Sequence, residues 1–186
     1  DWLESLKRRI AERTLERYQN SARQFVATLG ATAQQPLRCL TPKLIEQFIS
    51  RRLDQGLAPR TVILDVKIVG IALRRAEINS YIDRNPVPAA KLPKSVGSER
   101  GVFSAEDVQR LLDAAPNREW KTLILLGFYL GARLGDCATM RWENIDLDKG
   151  LIVYTPQKTD RVVCVPMHLN FANHLAGIPD DAEGFL

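Results

Sequence analysis

Residues 121–166 read KTLILLGFYLGARLGDCATMRWENIDLDKGLIVYTPQKTDRVVCVP, and the spacing of their apolar residues changes partway along. Lys121 to Leu130 is almost wholly apolar, which predicts a helix buried on all sides. Gly131 interrupts it, and a further helix is predicted from about Leu134 to Arg141. Beyond Trp142 the helical spacing gives way to three short β-rich runs, Ile145–Leu147, Leu151–Tyr154 and Val162–Val165. Asp148-Lys149-Gly150 is a turn between the first two. The polar residues Pro156–Arg161 join the last two as a hairpin loop. A final helix is predicted over Leu169–Ala176, followed by an acidic tail. These signals place a small antiparallel sheet among helices.

Upstream, Ser104-Ala105-Glu106-Asp107 resembles a capping box ahead of Val108, Leu111 and Leu112. Residues 80–101 hold Asn85-Pro86, Pro88, Pro93, Gly97 and Gly101 together with Lys91, Lys94 and Arg100. That composition marks a basic, stiffened connector. The stretch before it is helical almost throughout. Trp2, Leu3, Leu6 and Ile10 recur at helical spacing. Arg13-Thr14 opens a second helix with Leu15, Tyr18, Ala22, Phe25, Val26 and Leu29 on one face, and Gly30 stops it. Thr41-Pro42 begins a third, whose stripe is Leu44, Ile45, Phe48, Ile49 and Leu53, ending at Gly56. Pro59 begins a fourth, with Val62, Ile63, Val66, Val69, Ala72, Leu73 and Ala76 inward. The expected fold is therefore mainly α with a small antiparallel β-sheet. A four-helix domain spans 1–84, a linker 85–101 and a second domain 102–186.

The chain has 186 residues, of which 45% are hydrophobic and 26% charged, an ordinary balance for a folded domain that excludes disorder and collagen-like repeats. The longest uncharged apolar run, Thr122–Ala132, is far short of the roughly 20 residues of a membrane span. No signal peptide opens the chain. Cys39, Cys137 and Cys164 are widely spaced and fit no metal-ligand pattern, so they read as reduced thiols and point to the cytoplasm. The chain begins at Asp1, which suggests a piece of something longer. Its charge is uneven. Residues 1–97 carry 17 Lys and Arg against 9 Asp and Glu, whereas the remainder carries 9 against 13. A basic half suits a polyanion such as a nucleic acid. Arg51, Arg52, Arg60, Lys67, Arg74 and Arg75, on the third and fourth helices, are its candidate contacts, with Lys91 and Lys94 in the linker.

Most catalytic patterns are absent: there is no P-loop, dinucleotide fingerprint, nucleophile elbow or His-Glu-x-x-His. His168 and His174 are not at the usual spacing of a shared metal site and read as surface or core-edge residues; no metal is expected. Two features remain. Gly131-Ala132-Arg133-Leu134-Gly135-Asp136 sets an arginine at a helix break with a carboxylate one turn on. Arginine suits bidentate phosphate contact, though the pair also reads as a structural Arg–Asp ion pair. Gln157-Lys158-Thr159-Asp160 puts a lysine on a hairpin tip, where it also reads as simply solvated.

In this order the motifs resemble the tyrosine recombinases, the phage and transposon integrase family. Gly131 to Leu147, with Arg133, Asp136, Arg141-Trp142 and Ile145-Asp146-Leu147, is similar to that family's first catalytic motif. Thr155 to Thr159 followed by Val162 to Pro166 is similar to its lysine hairpin. Val102 to Leu112 resembles the opening helix of its catalytic domain. Thr14 to Phe25, Pro59-Arg60-Thr61, Ala76 and Asn85-Pro86 resemble its core-binding domain. Leu130 and Ala132 depart from the commoner residues beside the glycine, and Asp136 stands where Glu is commoner. The family's His-x-x-Arg is not found, since Phe171 lies three after His168 and Gly177 three after His174.

The resemblance implies a SAM-like core-binding domain followed by the first part of an α+β catalytic domain. It implies site-specific DNA recombination and integration, as in mobile genetic elements, by strand cleavage through a 3′-phosphotyrosyl link, without metal or cofactor. Arg133 is then a catalytic cation that stabilises charge on the scissile phosphate. Asp136 orients it, and Lys158, on a mobile loop, protonates the leaving 5′-oxygen. The full-length parent is expected to form a homo-oligomer, a tetramer on DNA, with no membrane partner. The nucleophilic tyrosine is expected beyond Leu186. Tyr18, Tyr81, Tyr129 and Tyr154 read as packing residues in helix or strand stripes. The 186 residues are expected to bind double-stranded DNA without cleaving it. The alternatives are a non-catalytic DNA-binding or regulatory protein on a decayed integrase scaffold, and a helical protein–protein adaptor.

Overall fold

The computed structural model describes residues 2–95, 97, 101–159, 161–178 and 186. Arg100 of the expected linker and the expected acidic tail lie outside the described residues. The chain forms two compact units, Asp1–Ser98 and Glu99–Leu186.

In the first unit, α1 (Trp2–Leu6), α2 (Glu12–Leu29), α3 (Pro42–Asp54) and α4 (Pro59–Ile78) carry the helical stripes read from the sequence, except that α1 stops at Leu6 and leaves Ile10 in a bend beyond it. Pro42 and Pro59 occupy first-turn positions, where a missing N–H costs nothing. Gly30 ends α2 with φ +53°, a conformation that side-chain-bearing residues rarely adopt. Phe25, Ile45, Phe48, Val62 and Val66 form the centre of the core, and Phe25 meets Phe48 edge to face at 5.3 Å. Short 3-10 turns at Gly30–Gln34 and Leu37–Cys39, not expected from the sequence, connect α2 to α3.

A buried ionic hub fastens these helices. Asp65 of α4 is fully buried. Its carboxylate accepts from Arg17 Nη2 at 2.6 Å and Ser21 Oγ at 2.7 Å on α2. From α3 it accepts Arg52 Nε at 3.1 Å and Nη2 at 2.9 Å. A buried carboxylate is tolerated only when satisfied in this way. Residues 85–90, expected as linker, lie on this unit. Asn85 Nδ2 donates to Gly70 O at 3.1 Å, and Val87 and Ala90 pack against the core.

The second unit opens with α5 (Ala105–Ala114), started by the expected capping box: the Asp107 N–H donates to Ser104 Oγ at 3.1 Å and the Ser104 N–H to Asp107 Oδ2 at 3.0 Å. Then come α6 (Arg118–Leu130), α7 (Leu134–Ala138), the three strands and α8 (Leu169–Ala176). β1 (Ile145–Asp146), β2 (Leu151–Tyr154) and β3 (Val163–Pro166) form an antiparallel sheet in that order, with Ile152 opposite Val165. Leu126, Met140, Ile152, Phe171 and Leu175 fill the core beneath.

Three expectations are corrected. α6 is not buried all round: Thr122, Leu125 and Leu126 face the core, whereas Trp120 is 53% and Phe128 48% exposed. The unit has elements to pack against only one side of that helix. The helix expected to reach Arg141 stops at Ala138, and a 3-10 turn at Trp142–Asn144 follows, where the Arg141 N–H donates to Asn144 Oδ1. Tyr81 lies beyond the end of α4 and is exposed rather than in a stripe.

Candidate functional site

The site begins where α6 ends. Gly131 takes the left-handed conformation, φ +60° and ψ +20°, and closes the helix with its N–H on Gly127 O at 3.1 Å. Two residues on, Arg133 is the N-cap residue of α7, with extended backbone and 57% of its side chain exposed. The guanidinium is thus delivered to the surface from a rigid corner. Its Nη1 stands 3.8 Å from Asp136 Oδ2, near enough for attraction and too far for a hydrogen bond.

Asp136 is buried and does two things. One carboxylate oxygen faces Arg133. The other, Oδ1, accepts the backbone N–H of Gln157 at 3.0 Å. Gln157 is the residue before Lys158, so this bond holds the β2–β3 loop against α7. The loop is itself a turn, closed by the Thr159 N–H on Pro156 O at 3.1 Å. Lys158 is exposed on it. Nothing local in the sequence announces a bond spanning 21 positions, which is why the Gln157 amide is a positioning group that sequence reading missed.

The surroundings answer to the same carboxylate. The Tyr154 phenol is pushed up by burial first, then by Asp136 and Cys137, with Arg133 opposing. Burial and then Asp136 also push the Cys137 thiol up, and its Sγ contacts Ala132 O at 3.7 Å. Cys137 is therefore a protonated packing residue here. His168 is exposed and stacks on Tyr129 with ring centroids 4.3 Å apart. Among the described residues no group of His, Cys, Asp and Glu is arranged to hold a metal.

The expected cations of the first unit divide. On α4, Arg60, Lys67, Arg74 and Arg75 are all exposed, and the exposed aliphatic residues Leu64, Ile71 and Ile78 alternate with them along one face. Arg74 pairs with Glu77, whose carboxyl is held low by that bond first. Arg51 is exposed and donates to Ala27 O at 3.0 Å. Lys91 and Lys94 are exposed, and the Lys91 N–H donates to Glu46 Oε1 at 3.0 Å. Arg52 is the correction: it is 7% exposed and its guanidinium is committed to Asp65 and to Gln55 Oε1. Heptad-like spacing cannot separate a cation at the rim of a helix face from one that turns inward to a buried carboxylate.

The fold is that of integrases that have been solved on DNA. A fragment of lambda integrase, residues 75–356 bound to DNA, superposes with a TM-score of 0.77 over 94% of this chain and 62% of that one, at 23% identity. The Tn1549 transposon integrase in complex with a circular intermediate DNA gives 0.74 over 98% of this chain. No protein-family model matches the chain. Among curated proteins, the integrase of Escherichia phage P2 is 28% identical over 148 residues, 79% of this chain and 42% of that protein. Tyrosine recombinase XerA of Thermococcus kodakarensis is 28% identical over 146 residues, 75% of this chain and 50% of that protein. Over that part of its length the chain is similar to tyrosine recombinases and integrases. It spans about a third to a half of the curated relatives it matches.

Proposed function

We propose that this chain is the DNA-gripping unit and the first part of the catalytic unit of a site-specific recombinase, one that breaks and rejoins DNA through a 3′-phosphotyrosyl intermediate. The observation that supports the catalytic reading is the shared carboxylate of Asp136, which faces Arg133 on one side and holds the Lys158 loop on the other. An exposed guanidinium and an ammonium on loops tied through one group can serve one phosphodiester. Arg133 would stabilise charge building on the non-bridging oxygens. Lys158 would give its proton to the leaving 5′-oxygen. Asp136 acts through both as a positioning residue.

The exposed Arg60, Lys67, Arg74 and Arg75 face of α4 supports the DNA-binding reading. Backbone contacts of this kind make affinity fall with salt, by a log–log slope of roughly 0.9 per phosphate neutralised. A lambda integrase tetramer bound to a Holliday junction superposes at a TM-score of 0.73, and we extend that assembly to the parent of this chain. The nucleophilic tyrosine is assigned outside these 186 residues.

Two experiments test this. A duplex carrying a nicked suicide strand should be bound in a salt-dependent way without a covalent adduct; an adduct from this chain overturns the assignment of the nucleophile. In a longer protein carrying the tyrosine, R133Q should slow cleavage by roughly 10²–10³-fold, the usual cost of one preorganised oxyanion donor. K158A should recover on a 5′-bridging phosphorothiolate substrate, whose thiolate leaves without a proton, and R133Q should not. Equal behaviour of the two variants on that substrate removes Lys158 from the acid role.

A further inference from the structure

At the end of α6 opposite Arg133, a cleft of about 410 Å³ opens between the start of α6 and the last turn of α8. The 13 residues of α6 put it roughly 20 Å from the glycine corner. Arg118 and Lys121 line it from α6, one turn apart on the same face, and His174 lines it from α8. Among the described residues no carboxylate lines it. Arg118 has only a loose neighbour in Glu119, 3.9 Å away with both side chains about half exposed, and Lys121 has no ion pair among the described residues.

The histidine is fixed in the wall. His174 Nε2 lies 2.7 Å from Thr122 Oγ1. The Thr122 hydroxyl donates to Arg118 O at 3.1 Å, so Oγ1 is left to accept from His174 Nε2–H. Nδ1 is then the atom that gains or loses the proton. Burial first, then the charges of Arg118 and Lys121 across the cleft, hold this imidazole below its ordinary value. Asn117 caps the helix by accepting the Trp120 N–H at 3.0 Å, and because Asn117 and Arg118 both line the cleft, the positive end of α6 borders the same space.

We propose that this cleft binds a phosphate group, held by Arg118, Lys121 and His174. Three donors on two helices, with no acid among them, match a tetrahedral oxyanion. The ligand is either a free phosphate or one phosphodiester of a nucleic-acid backbone.

Ring-proton NMR of His174 in the whole chain, titrated separately with inorganic phosphate and with a short DNA duplex, tests this. Inorganic phosphate should move the His174 signals saturably and raise their titration midpoint, because an anion offsets the two cations. R118Q/K121Q should weaken that response by roughly tenfold or more, about 1.4 kcal/mol. A response to both probes identifies free phosphate as sufficient; a response to duplex alone identifies a backbone site. R133Q should leave the response to inorganic phosphate intact, so that this arm of the test is independent of the strand-transfer reading. Failure of both probes to move His174 overturns the proposal. So does an unchanged response in R118Q/K121Q, or loss of the inorganic-phosphate response in R133Q.

Discussion

Replacing Asp136 by alanine should release the Lys158 loop without unfolding its unit. The change removes the acceptor for the Gln157 N–H at 3.0 Å and the partner of Arg133 at 3.8 Å. A hydrogen bond to a charged acceptor contributes about 1.5–3 kcal/mol. The Arg133 pairing, with that side chain 57% exposed, adds well under 1 kcal/mol after screening. A local loss of about 2 kcal/mol makes opening of the loop about thirtyfold more frequent. Amide hydrogen exchange reads this directly: Gln157 should exchange about thirtyfold faster in D136A. In D136N the amide oxygen still accepts but carries no charge, so a loss of about 1 kcal/mol and roughly fivefold faster exchange are expected. The amides of the β2–β3 ladder should stay as they were. Unchanged exchange at Gln157 in D136A would falsify the claim that Asp136 holds the loop. Equal acceleration at Gln157 and Ile152 would also refute it, since the loss would then be global.

Other outcomes follow from the same geometry. D65A leaves Arg52 buried beside no carboxylate, so urea unfolding of the first unit should show a loss of about 3–5 kcal/mol; a loss under 1 kcal/mol refutes the hub. R60Q and K67Q should each reduce the salt slope of duplex binding by roughly 0.9 with little effect on stability; an unchanged slope removes α4 from the interface. The folded His174 binds its proton less readily than the unfolded chain does, whose ordinary value is about 6.5. The second unit should therefore lose stability as pH falls from about 7 to 5, because the unfolded state takes up the proton first. H174Q should flatten that decline, and chemical denaturation across this range checks it. S104A removes the acceptor for the Asp107 N–H, and thermal unfolding should report a loss of about 1 kcal/mol.

Much of the architecture was legible because its signals are local. Pro42 and Pro59 mark helix starts, Gly30 and Gly131 mark stops, and Ser104 with Asp107 spells a cap. Leu169–Ala176 folds as a helix over the range its spacing predicts. The early end of α7 was not legible, because the Arg141–Asn144 turn depends on a side chain reaching back to the backbone. α6 misled because apolar composition reports what a helix could bury and not how many neighbours a small unit offers it. In the candidate site, Arg133 and Lys158 stood out by residue type and position. Their connection through Asp136 and the Gln157 amide is a tertiary fact, and so is the withdrawal of Arg52 into the hub.

The alternation of Arg60, Leu64, Lys67, Ile71 and Arg74 along one side of α4 bears on how attachment changes with ionic strength. Cations lose their hold on phosphates as salt rises, whereas aliphatic groups set against thymine methyls would keep theirs. If α4 meets DNA as proposed, a ridge that interleaves the two would hold a duplex by a brine-sensitive grip and a brine-indifferent one at once. Raising salt would then strip off indiscriminate attachment before it strips off attachment at sequences rich in methyl-bearing base edges.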